Sequence, residues 1–207
     1  PDWRRVADDL GAVAALEPQA RLGGALANAL ERLGDHAAAR AEFDRELRAH
    51  PADAHLLRRR AELRRDAGDL AGAKEDLLAA VRIQEGNPDP LFADTLLALA
   101  DVEAGLGEDG DALRHLDAAV ERGDWRHRLN RGALKAKLER WDEAEVDLDA
   151  VIFDIADKPA VAPSLAQALS TRAWAKFCQG KRDALDDAEE ALRLAPGDAG
   201  ALAVRGF

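Results

Sequence analysis

Residues 54–81 read AHLLRRRAELRRDAGDLAGAKEDLLAAV, and the fold follows from how this stretch divides. Two amphipathic runs meet at Ala67-Gly68-Asp69. In the second run Ala73 is followed four residues later by Leu77 and then by Ala80-Val81, which is one face of an α-helix. In the first run the small residue Ala61 stands seven positions before Gly68, where it lets two backbones approach closely. Glycine reaches the left-handed conformation that ends a helix, and the acid after it can cap the next one. The stretch predicts a tight helical hairpin.

The hairpin recurs along the chain. Ala39, Ala73, Ala112, Ala144 and Ala184 each precede Phe43, Leu77, Leu116, Leu148 and Ala188 by four residues, and successive alanines are 34, 39, 32 and 40 apart. A turn precedes each of these helices: Leu33-Gly34-Asp35, Ala67-Gly68-Asp69, Leu106-Gly107-Glu108, Glu139-Arg140-Trp141 and Gln179-Gly180-Lys181. The small residues at the crossings are Ala27, Ala61, Ala100, Gly132 and Ala173. A period between 20 and 50 residues is the mark of a repeat architecture.

With these residues the chain resembles the tetratricopeptide repeat (TPR) family, whose unit is a 34-residue helix-turn-helix with small crossing residues and a closing proline. Pro18, Pro51 and Pro196 stand in the closing position, and Arg60-Ala61, Arg131-Gly132, Arg172-Ala173 and Arg205-Gly206 repeat a pairing common in such units. The resemblance implies an all-α, right-handed superhelical solenoid of antiparallel helix pairs, with about five full repeats and partial repeats at both ends. The expected layout is a leading half repeat at 3–16, helix pairs at 20–49, 53–84, 89–122, 125–154 and 162–194, and a further helix from Asp198, all in one repeat domain over 1–207. A chain that starts at Pro1 and stops just after Arg205-Gly206 reads as a segment of a longer protein. Two departures from the pattern stand out: Glu139 replaces a turn glycine, and Gly180 lies one residue too close to Ala184.

Composition narrows the function. Lys+Arg 29 against Asp+Glu 40 gives a net charge of −11, which repels a phosphate backbone, so nucleic acid is not the expected partner. No apolar run reaches the roughly 18 residues that cross a bilayer, and no membrane partner is expected. The single Cys178 cannot make an internal disulfide and no Cys/His cluster has zinc spacing, so cytoplasm is the expected compartment. Abundant Ala, Leu, Arg, Asp and Gly resemble the usage of GC-rich bacteria.

No phosphate loop, Gly-x-Ser-x-Gly elbow or His-Glu-x-x-His pair is present, so no enzyme, cofactor or metal is expected. His36, His50, His55, His115 and His127 are scattered and read as ordinary surface or packing residues. Glu108-Asp109-Gly110-Asp111 lacks the alternating ligands and distal Glu of a calcium loop and reads as a capping turn.

In the TPR family the first helix of each pair lines an inner groove. Helical spacing then places toward that groove Arg21, Asn28 and Arg32; His55, Arg58, Arg59, Glu62 and Arg65; Asp94, Leu97 and Asp101; Arg126, Leu129, Asn130, Ala133 and Lys137; and Gln167, Ser170, Trp174, Phe177 and Cys178. The second and fourth sets are basic. Either their arginines pair with Glu62, Asp94, Asp101 and Asp124, or they bind an acidic peptide, which the guanidinium fork suits. Trp174 reads either as an aromatic anchor facing the groove or as a core residue, whereas Trp3 and Trp141 read as packing residues and Trp125 as a wedge between repeats. The peptide-binding candidates are Asn28, His55, Arg58, Arg59, Arg65, Arg126, Asn130, Lys137 and Trp174. The Lys/Asn clamp by which some TPR proteins hold a chaperone's terminal carboxylate is not matched here, since Gly24, Glu62, Asp94 and Ala98 stand where its residues would be. The expected role is a scaffold for a partner peptide or helix, possible acidic ligands included, with homo-oligomerisation through the end repeats as the alternative.

Overall fold

The computed structural model describes residues 1–16, 22–85 and 89–206. Among them are twelve α-helices and no strand: α1 (Trp3–Leu16), α2 (Gly23–Arg32), α3 (His36–Ala49), α4 (Ala54–Asp66), α5 (Leu70–Gln84), α6 (Phe92–Gly105), α7 (Asp109–Val120), α8 (Trp125–Lys137), α9 (Trp141–Ile155), α10 (Ala162–Cys178), α11 (Ala184–Leu194) and α12 (Ala199–Gly206). A single 3-10 turn, Pro159–Val161, leads into α10. The expected layout holds to within a few residues at every helix. Pro18 and Arg21 lie outside the described residues.

The chain forms two compact units, Pro1–Leu106 and Gly107–Phe207. In the first, α1 packs on α2, α2 on α3, α3 on α4, α4 on α5, and α6 on both α4 and α5. In the second, α7 packs on α8, α8 on α9, α9 on α10, α10 on α11 and α11 on α12, and α10 also packs on α8 and α12. Each unit thus repeats one pattern, in which a helix packs on its sequence neighbours, and α4, α8 and α10 pack also on the first helix of the next pair.

The repeated small residues explain how the pairs close. Ala27, Ala61 and Ala173 have no exposed surface, and neither do Ala39, Ala73 and Ala144 on the second helices. The bulky residue one turn on fills the space beside each crossing: Phe43, Leu77 and Leu148 are all buried. Around Leu148 the second unit's core gathers Ala144, Val151, Ile155, Leu165, Leu169 and Val204. Asp35, Asp53 and Asp69 cap α3, α4 and α5 through Oδ1, accepting from the N–H of Ala38 at 3.0 Å, Leu56 at 3.1 Å and Gly72 at 2.9 Å. A cap of this kind contributes about 1 kcal/mol.

The turn glycines take the expected left-handed backbone, with φ of 79° at Gly34, 82° at Gly68, 79° at Gly107 and 71° at Gly180. Glu139 has the same conformation, φ 60°, and is the one non-glycine among the described residues with positive φ. The hairpin therefore keeps its geometry at Glu139 at the cost of a strained side-chain-bearing residue. At Gly180 the missing residue is absorbed differently: α11 begins only at Ala184, and its N-cap Asp183 makes no side-chain cap bond.

The recurrent arginine before the small residue is a staple. Arg60 of α4 donates from Nε and Nη2 to Asp76 of α5 at 2.8 and 2.6 Å, and from Nη1 to Asp44 of α3 at 2.7 Å. Arg131 of α8 repeats this with Asp147 of α9 at 2.8 and 2.5 Å and Asp117 of α7 at 2.8 Å. Arg172 of α10 repeats it with Asp187 of α11 at 2.8 and 2.5 Å and Asp149 of α9 at 2.6 Å. Each guanidinium ties its own helix pair to the second helix of the pair before. The bonds to Asp76 and Asp147 hold Arg60 and Arg131 above the ordinary guanidinium value. In α6 and α2 the equivalent residues are Leu99 and Leu26, both buried.

Candidate functional site

Two hollows, one in each unit, take in residues singled out from sequence. In the first unit a hollow of about 280 Å³ is lined by Gly24, Asn28, His50, His55, Leu56 and Arg59 among others. It brings together three of the residues singled out from sequence, Asn28, His55 and Arg59. The Arg59 fork is engaged: Nη2 donates to Glu31 at 2.6 Å and to Asn28 Oδ1 at 3.1 Å, and Nη1 to Glu62. The floor is built by a close approach. Gly23 N–H donates to the buried Glu46 at 3.2 Å, and a Cβ on Gly23 would meet Glu46 Cγ at 2.1 Å.

In the second unit a larger hollow, about 540 Å³, lies between α8, α10 and α12. Ala133, Ala136, Thr171, Trp174 and Gly200 form its largely apolar wall, with Lys137, Glu139 and Cys178 also lining it. Small residues on α8 and α12 leave the space, and Trp174 stands in it 36% exposed, its ring 5.7 Å from that of Phe177. Gly200 is required where it is, because a Cβ there would come within 2.7 Å of Ser170 Oγ. Ser170 is itself held by Asp198, the residue that accepts Ala201 N–H at 2.8 Å at the start of α12. The wall is therefore fixed by backbone caps as well as by packing.

Of the remaining sequence candidates, Arg58, Arg65, Arg126 and Asn130 lie outside these linings, and these four and Lys137 have partners within the chain. Arg58 pairs with Glu62 at 2.8 Å, Arg65 with Asp66 at 3.0 Å and Arg126 with Asp124 at 2.9 Å. Lys137 reaches Asp109 at 3.3 Å, and Asn130 donates to the Arg126 carbonyl at 2.8 Å. Of the four acids expected to pair with the basic bands, Glu62 and Asp124 do so and Asp101 feels the charge of Arg65, while Glu31, Asp66 and Asp109 are partners not foreseen. Leu129, expected on the open face, is 5% exposed and belongs to the core that gathers around Leu148.

His127 is buried and acts as a capping residue, its Nδ1 accepting Asp124 N–H at 3.1 Å. Trp3 and Trp141 pack against the cores of their units, as expected, and Arg32 lies over the Trp3 ring at 5.7 Å. Cys178 is exposed, and desolvation by its surroundings, followed by the Glu139 carboxylate, pushes its thiol above the ordinary value. A thiol so placed is a weak nucleophile. The hollow offers shape and an aromatic face rather than a reactive group.

Thr171, Ala136, Gly200 and Glu139 were not singled out from sequence as lining residues. Glu139 had a visible signal, since it stands where a turn glycine belongs. Gly200 had none, because nothing local distinguishes it from other helical glycines.

No protein-family model matches the chain, and no curated protein does. Solved structures do match. YrrB, described as a TPR protein with an unusual peptide-binding site, is 21% identical, with a TM-score of 0.74 over 97% of this chain and 100% of that one. PilF of Pseudomonas aeruginosa is 17% identical, with a TM-score of 0.81 over 99% of this chain and 90% of that one. MamA is 18% identical, with a TM-score of 0.69 over 84% and 91%. The chain has the all-α helical-repeat fold of tetratricopeptide repeat proteins.

Proposed function

We propose that the chain binds a segment of a partner protein along the inner faces of its helix pairs, and that a bulky apolar side chain of that segment enters the Trp174 hollow. The observation that carries this is a preformed, largely apolar hollow of about 540 Å³ with a partly exposed tryptophan in its wall. Aromatic anchors in pockets of this kind dominate binding energy at protein interfaces. YrrB, which shares the fold, is described as having a peptide-binding site.

An acidic segment remains the ligand that the basic bands suit best, but its carboxylates must compete with those already in place. Arg58, Arg59, Arg65 and Arg126 are each engaged by Glu62, Glu31, Asp66 or Asp124. Exchanging one carboxylate for another at an exposed site yields little net energy. The apolar anchor therefore carries affinity, and the cations adjust specificity and salt response. Peptides selected from a display library on the intact chain test this. Binding should weaken by about tenfold or more in Trp174→Ala and change little in Arg40→Glu on an outer helix. Equal affinity for Trp174→Ala and wild type would refute the anchor.

Self-association is the second reading. It is favoured by a hollow of about 510 Å³ among Phe177, Gly180, Ala184, Leu185 and Val204. A monomer in sedimentation equilibrium at tens of micromolar concentration removes it.

A further inference from the structure

A repeat protein supplies its own comparison, because the same surface position is filled once per repeat. Two residues after the buried alanine of each second helix stand Ala41, Glu75, Arg114, Val146 and Asp186. Nine residues after it stand Arg48, Arg82, Glu121, Phe153 and Arg193. Only α9 is hydrophobic at both places, and there both side chains face solvent: Val146 is 69% exposed and Phe153 87%. Seven residues apart, they lie on one side of the helix about 10 Å apart along its axis, with Ala150 between them. Packing does not demand a large apolar side chain at either place, since the other repeats close with Ala41 or a charged residue at the first and a charged residue at the second.

The surroundings specify what would cover this stripe. Helix α9 carries six carboxylates, Asp142, Glu143, Glu145, Asp147, Asp149 and Asp154, and no basic residue. Asp142 and Asp149 share the face of Val146 by helical spacing, and Asp157 follows just beyond the helix. Asp149 and Asp154 are paired with Arg172 and Arg128 at 2.6 and 3.1 Å but keep 59% and 42% of their side-chain surface exposed. A second copy of this chain would bring two such acidic helices together, and an anionic lipid surface or nucleic acid would be repelled.

We propose that the outer face of α9 is a docking surface for a basic amphipathic helix of a partner protein, with apolar residues at i, i+4 and i+7 seated on Val146 and Phe153 and flanking Lys or Arg against Asp142, Asp149 and Asp157. Val146 and Phe153 do not line the Trp174 hollow, and the surface does not depend on it. A chain able to use both would join two partners on its second unit.

The test uses the intact chain and a labelled 18-residue Leu/Lys/Ala peptide with leucines at i, i+4 and i+7, read by fluorescence anisotropy at about 0.1 M salt. Val146→Gln combined with Phe153→Gln keeps the charge and places polar residues at exposed positions where most other repeats have them, so the thermal melt should not move. The peptide should bind wild type, bind the double variant at least tenfold more weakly, and bind Trp174→Ala as it does wild type. A version with Glu in place of Lys should not bind. Should the double variant be unfolded, Asp142→Asn with Asp157→Asn must weaken binding instead. No binding, binding unaffected by either pair of substitutions, or wild-type dimers that the double variant abolishes would each overturn the proposal.

Discussion

Arg131 and Asp147 meet fork to fork: Nε donates to Oδ2 at 2.8 Å and Nη2 to Oδ1 at 2.5 Å, with Asp147 only 3% exposed. The third donor, Nη1, reaches Asp117, so one guanidinium spans three helices. Removing it leaves a buried carboxylate with Lys135 as its remaining cation, at 2.9 Å. Arg131→Met should cost about 3 kcal/mol in urea unfolding. Arg131→Lys should not restore the loss, since one ammonium cannot make the bidentate contact and reach Asp117 as well.

Glu139 is strained where its four counterparts are glycine. Glu139→Gly should stabilise the chain by about 0.5–1 kcal/mol, the relief of a left-handed side-chain-bearing residue less the added freedom of glycine in the unfolded chain. A lower melting temperature for this variant would show that the Glu139 side chain makes a compensating contact.

The same carboxylate raises the Cys178 thiol, after desolvation. Glu139→Gln removes the negative charge, the thiolate becomes easier to form, and the alkylation rate profile shifts to lower pH. At pH 7.5 iodoacetamide should react about twofold faster. An unchanged rate would mean that desolvation alone sets the thiol.

Ala61 and Ala173 have no exposed surface at the helix crossings. Ala61→Leu or Ala173→Leu should cost about 2–3 kcal/mol or more, because a larger side chain forces the paired helices apart. Ala41→Leu, on an exposed outer position, serves as the control and should leave the unfolding midpoint nearly unchanged.

The helix layout was legible because its signals are local: an apolar period, a turn glycine, a capping acid. The role of the Arg60, Arg131 and Arg172 series was not, since each arginine's partners stand on two other helices. A signal did exist. Arg60 and Arg131 have their bidentate Asp 16 residues on, and Arg172 has it 15 on, the shift that follows from the residue missing between Gly180 and Ala184. The basic bands were legible as charge, but arginine's reach lets it find acids on neighbouring repeats, as Arg59 finds Glu31, so their engagement was not. Trp174 could be assigned to the inner face by spacing. The hollow beside it depends on Ala133 and Ala136 from α8 and Gly200 from α12, which only the tertiary packing brings together.

Cys178 lines the same hollow as Trp174 and so reports on its occupancy. The most direct test of the binding account is the rate at which iodoacetamide alkylates Cys178 with and without a saturating library-selected peptide, in wild type and in Trp174→Ala. The account predicts that the peptide slows alkylation of wild type at least fivefold and that Trp174→Ala loses this protection at the same peptide concentration. A peptide that binds tightly while Cys178 reacts at its free rate would contradict it and place the partner elsewhere on the protein.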